Sequence, residues 1–255
     1  MPTLVIVDGM EHQVASTNGG TGAIYGQIQT AGAITFDTTT KRTGLASLKV
    51  VESGAAACNI ARLIAASQNV IVGSVYIFMT ANPSVNSRII NNFNPAGVGA
   101  TLIDVTTAGV IRCQCGDGTV QSSGITVTDS AWHLIDWYAD VSGATKTVKW
   151  AVDGIAQTDA TSTTNTATAY NTACPHFGSN LTTHTATCFY DDLVLSHTAL
   201  DYPIGEHKVL GFLPTGDGTH NAGTNVMEDQ AGNDIGAVTA YNLIDEWPSE
   251  ATDYL

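Results

Sequence analysis

The stretch Trp132–Gly154, WHLIDWYADVSGATKTVKWAVDG, decides the fold, because it reads as two strands joined by a small-residue turn. In the second arm Val148, Trp150 and Val152 fall on one face at period two and Thr147, Lys149 and Ala151 on the other, as in a strand half buried against a core. Ser142-Gly143-Ala144 supplies the turn. The first arm carries apolar residues on both faces, Leu134 and Tyr138 on one, Ile135 and Trp137 on the other, so it belongs in the middle of a sheet.

Working outward, the same signature repeats. Leu4–Val7 is a short apolar run ending at Asp8-Gly9. Ser47–Glu52 turns Leu48 and Val50 inward and Lys49 and Val51 outward, and Asn69–Met79, NVIVGSVYIFM, is apolar nearly throughout, which predicts a central strand. Arg88–Phe93, Thr101–Val105 and Val110–Cys115 follow at the spacing of about 8–12 residues that marks a sandwich, and read as a meander. Gly116–Gly118 and Ser122–Gly124 read as punctuation, and Cys188–Ser196 as the last strand. Residues 15–35, with only Tyr25 and Ile28 as large anchors, read as loop with at most a weak edge strand. Asp159–Thr172 reads as a strand plus a solvated surface loop.

Composition sets the bounds. The chain has 255 residues, of which 44% are hydrophobic and only 13% charged, a mix that suits short strands in one all-β domain with little helix. Net charge is -14, and the acid is concentrated late: residues 1–200 hold 8 basic and 13 acidic side chains, residues 201–255 hold 1 and 10. Such a balance repels phosphate backbones and excludes nucleic acid as a direct partner. No apolar run reaches the roughly 18 residues of a membrane span, and MPTLVIVDGMEH lacks the basic and apolar regions of an export signal. Cys58, Cys113, Cys115, Cys174 and Cys188 are odd in number, which predicts reduced thiols and assembly in a cytoplasm.

From Tyr202 onward the chain changes character. The short run Val209–Leu213 is followed by Gly, Asn, Asp and Thr with isolated apolar anchors, and such a segment cannot bury a core of its own. The expected organisation is a sandwich over 1–200 and an acidic, extended arm over 201–255. Either the arm is disordered, or, as the spacing of its anchors favours, Phe212, Tyr241 and Trp247 dock on the sandwich or on a neighbouring subunit.

The WH opening one strand, the DG closing the next, Arg42–Val50 and Phe189–Leu195 together resemble concanavalin A-like, laminin-G-like jelly rolls. The opening Val5–His12, the run Val209–Gly218 (VLGFLPTGDG) and the closing Tyr241–Pro248 and Ala251–Leu255 are similar to a group of tailed-bacteriophage virion proteins, in which an aromatic usually stands where Met10 does. The resemblance implies a structural component of the virion, capsid decoration or tail, assembled in the host cytoplasm. Its partners would be major capsid or tail proteins and further copies of the chain. The alternative in a different class is a carbohydrate-binding module used in host-surface adhesion.

Candidate chemistry is sparse. Glycoside hydrolysis needs two carboxylates across a cleft. Asp191-Asp192 is the only paired carboxylate before residue 201, and adjacent strand residues should point to opposite faces, one Asp bonding loop backbone and the other facing solvent. Asp153, Asn180, Asp191 and Asp192 have the donor types of a Ca²⁺ or lectin ligand site if their loops converge, against a plain turn-capping role. Cys174, His176, His184 and Cys188 could hold zinc, or Cys174 and Cys188 a disulfide, while Cys113 and Cys115 read as buried thiols. His133 reads as a packed, hydrogen-bonding residue, since no nucleophile pattern accompanies it. The expectation is a non-enzymatic protein without cofactor or resident metal.

Overall fold

A computed structural model describes residues 4–10, 25–30, 33–54, 57–64, 66–94, 96–179 and 185–209 of the chain. The strands among them are, in order, β1 (Leu4–Asp8), β2 (Tyr25–Thr30), β3 (Ala33–Asp37), β4 (Ser47–Ser53), β5 (Cys58–Leu63), β6 (Val70–Phe78), β7 (Ser87–Phe93) and β8 (Gly99–Val105). They continue with β9 (Val110–Gln114), β10 (Val120–Thr126), β11 (Trp132–Asp140), β12 (Lys146–Val152), β13 (Ile155–Ala156), β14 (Ala160–Ser162), β15 (Ala173–Ser179) and β16 (Thr185–Ser196). One short 3-10 helix, Ala199–Asp201, follows. Among the described residues no helix is long and apolar enough to cross a membrane.

The pairings are antiparallel and build two sheets. One has the order β13-β12-β11-β6-β16-β4-β3, with β1 also on β16 and β14 on β12; the other runs β10-β9-β8-β7-β15-β5-β2. Their inner faces enclose a single core. The decisive hairpin is β11–β12, and β11 pairs on its other side with β6 without a break from Trp132↔Phe78 to Asp140↔Val70. Apolar residues on both of its faces are thus explained by a place near the sheet's centre. The row Leu195–Gly73–Trp137–Trp150 crosses four strands on the inner face, and Gly73 is the gap into which the Trp137 ring fits.

The last strand, β16, changes partner along its length. Thr185–Tyr190 lie on β4, Leu193–Ser196 on β1, and the ladder to β6 slips between Asp191 and Val194. Asp192 sits in the left-handed region, φ 52°, which an aspartate tolerates better than most residues. This bulge at the handover shapes the polar cluster described below. Buried carboxylates also tie sheet to sheet: Glu52 of β4 accepts bonds from Ser87 Oγ and Ser179 N, both 2.8 Å, across the core.

Several expectations about elements need correction. Ser122–Gly124 lies inside β10, an edge strand whose register breaks around Gly124 at φ 72°. Residues 25–30 are the edge strand of the seven-stranded sheet, as the edge-strand reading allowed, and β5 and β15, in segments given no strand above, lie between it and β7. The strand and surface loop expected over Asp159–Thr172 are present, β14 and an irregular stretch with Thr163, Thr164, Thr166 and Thr168 exposed, but Tyr170 anchors it, fully buried with its hydroxyl 3.0 Å from Thr101 Oγ1. The described part of the arm, residues 201–209, lies against the nine-stranded sheet, whereas Phe212, Tyr241 and Trp247 fall outside the described residues.

Candidate functional site

At the bulge of β16 both carboxylates turn toward the loop that precedes β4. Asp191 Oδ2 accepts the N–H groups of Arg42 (2.8 Å) and Thr43 (3.3 Å), and Oδ1 accepts that of Asp192 (2.8 Å). Asp192 Oδ2 takes the Arg42 guanidinium at 2.6 Å; its Oδ1 takes the Thr43 hydroxyl at 2.6 Å and the Val209 N–H at 2.7 Å. The guanidinium also lies 3.4 Å over the Tyr76 ring. Burial, the larger influence, pushes Asp191 up to about 7, against the pull of the Arg42 N–H, while the Asp192 charge raises it further.

This corrects two readings. The pair does not alternate, because the bulge inserts a residue, and neither carboxylate faces solvent, since both are 0% exposed. Every oxygen is engaged and sealed, so neither is presented to a substrate. Nor does Asp153 join the Asp pair. Asp153 N bonds Leu134 O, Leu134 pairs with Tyr76 and Tyr76 with Asp191, which places Asp153 three strand spacings, about 14 Å, from the Asp pair. Asn180 lies outside the described residues.

Asp153 instead serves His133. With Gly154 it forms the turn after β12, both at positive φ (51° and 75°), the backbone of a type I′ turn for which Asp-Gly is suited. Its Oδ1 accepts Leu134 N at 2.8 Å, and Oδ2 lies 2.8 Å from His133 Nδ1, while Asp129 Oδ1 lies 2.9 Å from Nε2. Held between two carboxylates, Asp153 first, the imidazole is raised from 6.5 to about 8. A folded-state value above the unfolded one means that this staple is fully present below the unfolded value and lost as pH rises through about 8. His133→Gln should therefore cost about 1 kcal/mol at acid pH, after discounting for the half-exposed carboxylates, and almost nothing at high pH. Urea unfolding of both proteins across that range checks it; an equal loss at the two ends would refute the assignment.

A third feature was invisible in the sequence. On the outer face of the nine-stranded sheet Trp132, Phe78 and Phe189 stand directly opposite one another on β11, β6 and β16. Ring centroids are 5.4 Å apart for Trp132–Phe78 and 5.8 Å for Phe78–Phe189, within the range of paired aromatics. Trp132 and Phe78 are half-buried, and Lys49 of β4 places Nζ 5.1 Å over the Phe189 ring while lying 3.5 Å from Asp37. The row combines stacking surface with polar groups at its Phe189 end.

The cysteines are all free and buried, and burial pushes Cys174 and Cys188 up to about 12 and Cys115 up to about 11, so these are inert thiols. His176 Nδ1 lies 3.0 Å from Asn59 Oδ1 and its ring packs edge-on against Phe93. Among the described residues no three metal-ligating side chains gather, and His184 lies outside them.

No family model and no curated protein matches the chain. Among solved structures it is similar to the binding domain of Paraclostridial Mosquitocidal Protein 1, with TM-score 0.52 and 11% identity over 77% of this chain and 49% of that one. The chain is a jelly-roll β-sandwich. At lower TM-scores it is similar to Trypanosoma rangeli sialidase in complex with the inhibitor DANA (0.46, 10% identity, 64% of this chain, 27% of that one). It is likewise similar to the botulinum neurotoxin serotype D ligand binding domain in complex with N-acetylneuraminic acid (0.46, 11%, 68%, 42%). The chain spans half or less of the length of each of these.

Proposed function

We propose that the chain is a non-enzymatic binding module whose ligand is a glycan, held on the outer face of the nine-stranded sheet. The observation that carries this is the half-open aromatic row Trp132–Phe78–Phe189 with Lys49 and Asp37 at one end. Sugar rings present C–H faces that stack on aromatic surface and hydroxyl edges that need polar partners, and the row offers both. The same fold serves a binding domain in the mosquitocidal protein, which makes the reading compatible with the scaffold without deciding it. Absence of catalysis is part of the proposal, since the carboxylates adjacent in sequence, Asp191 and Asp192, are spent on Arg42, Thr43 and Val209, and Asp129 and Asp153 are spent on His133.

Binding of the purified chain to an array of bacterial and host oligosaccharides, confirmed by quenching of tryptophan fluorescence, tests it. Trp132→Ala and Phe78→Ala should each weaken any hit by at least about tenfold, the effect of losing roughly 1.4 kcal/mol of stacking, with little change in melting temperature. A hit indifferent to both substitutions, or no hit at all, overturns the reading.

A second reading is a structural subunit of a tailed-phage virion, capsid decoration or tail, which draws on the resemblance of Val5–His12 and of the C-terminal segment. It rests on that resemblance; within the described residues the chain is fastened at its end by the Val209 N–H on Asp192 Oδ1. Quantitative mass spectrometry of purified particles should find the chain, and a chain ending at Val209 should lose association with the particle. Undiminished association of the shortened chain would remove the arm from the mechanism.

A further inference from the structure

The aromatic row is open over only part of its length. Trp132 and Phe78 are half-buried, but Phe189 is 6% exposed and capped by Lys49, whose Nζ stands 5.1 Å over its ring. Phe189 pairs with Lys49 and Lys49 with Thr35, so the row runs on across β4 to the exposed Thr35 of β3, the last strand of the sheet. Neighbouring strands lie about 4.8 Å apart, close to the advance of one pyranose residue along an extended sugar chain. A chain laid across the strands sets one ring on Trp132 and the next on Phe78. Because Lys49 reaches back over Phe189, the third ring meets an ammonium with a carboxylate beside it.

The cations that flank this surface are already matched. Lys49 Nζ lies 3.5 Å from Asp37 Oδ2, and the Thr40 N–H holds the Asp37 carboxyl below the usual carboxylate range, so the pair is charged on both sides at neutral pH. Two residues along β6 from Phe78, Arg42 lies over the Tyr76 ring and is taken by Asp192 at 2.6 Å, with the exposed Glu206 3.8 Å from its other terminal nitrogen. The chain as a whole carries a charge of -14. An anionic sugar would meet matched ion pairs in an acidic field, whereas ring hydroxyls, which both donate and accept, fit an ammonium beside a carboxylate. We infer, resting on the glycan reading above, that the ligand is a neutral oligosaccharide of at least three residues laid across β11, β6 and β16. Two of its rings stack on Trp132 and Phe78, and the hydroxyls of the third bond Lys49 and Asp37.

Tryptophan-fluorescence titration of the full chain tests charge and length together. The probes are neutral oligosaccharides of glucose, mannose, galactose and N-acetylglucosamine from one to five residues, and uronate and sulfated oligosaccharides of the same lengths, each at low and high salt. Affinity for a neutral series should climb about fivefold per added residue up to the third and little beyond, without dependence on salt. Acidic chains should bind at least about fivefold more weakly than neutral ones of equal length. Asp37→Asn keeps an oxygen for the Thr39 and Thr40 N–H groups but removes the charge that faces Lys49. It should raise affinity for acidic chains about three- to fivefold and make that affinity fall with salt, and adding Lys49→Met should cancel the gain. Acidic chains bound as tightly as neutral ones, one sugar bound as tightly as three, or an Asp37→Asn response that is absent or survives Lys49→Met would each overturn the inference and leave the glycan reading standing. Silence of every sugar, neutral and acidic, overturns both.

Discussion

Gly73→Ala is expected to destabilise the sandwich by about 3 kcal/mol, at the upper end for overpacking, which for a domain of this size lowers the melting temperature by roughly 6–12 °C. Gly73 lies on the inner face of β6 between Leu195 and Trp137, and a Cβ there would stand 2.0 Å from Cζ2 and 2.4 Å from Cε2 and Cη2 of Trp137. The ring has nowhere to go. Trp137 is fully buried and pairs directly with Trp150, also fully buried, on its far side. Cores are packed like crystals, so the methyl forces either a backbone shift in the central strand or an off-rotamer tryptophan. The cause is testable by a double-mutant cycle. Trp137→Leu alone leaves a cavity and should cost about 3 kcal/mol, whereas in its presence the alanine at 73 fills space, so the double variant should be more stable than the sum by about 2 kcal/mol. Denaturant unfolding of the four proteins reads this directly. Strict additivity would mean that Gly73 is needed for its backbone alone.

That pair of residues also shows what could be read from the chain. Val148, Trp150 and Val152 at period two, and the unbroken apolar run of β6, placed the hairpin and the central strand, because alternation against a core leaves a local mark. Strands with mixed signals left none: Cys58–Leu63 carries Asn59 and Arg62, Ala173–Ser179 carries Pro175, His176 and Gly178, and β10 is serine and glycine on an edge. Their propensity is weak and tertiary pairing alone makes them strands. The site was less legible still. Trp132, Phe78 and Phe189 come together only through the register of β11, β6 and β16, which long connections set and no local spacing encodes. Likewise the Asp191-Asp192 pair was read by the rule of alternation, and a bulge defeats that rule by one residue. His133 was legible in role, as a packed hydrogen-bonding residue, but its partners Asp129 and Asp153 follow from the turn geometry.

Asp192→Ala is expected to be the more damaging change, at about 3–5 kcal/mol, because it strips the acceptor from a charge that stays behind. Arg42 is largely buried over Tyr76, and its nearest carboxylate besides Asp192 is Glu206, which is mostly exposed. The Thr43 hydroxyl and the Val209 N–H lose their acceptor at the same time, each a penalty of about 1–3 kcal/mol where water cannot enter. Both the loop before β4 and residues 203–209 therefore loosen together, and exchange protection of residues 203–209 should collapse. Asp191 differs in kind. Its carboxyl is raised to about 7, so the folded state binds its proton more tightly than the unfolded chain does, and its contribution to stability declines as pH rises from the ordinary carboxylate range through about 7. Asp191→Asn should abolish that decline, while Asp192→Ala, which removes a charge that raises Asp191, should only shrink it and displace it to lower stability throughout. Urea unfolding at closely spaced pH values separates the two. If Asp192→Ala costs no more than an exposed salt bridge, about 0–1 kcal/mol, then Arg42 has found water, and the cluster is a surface ornament instead of the bolt that fixes residues 203–209.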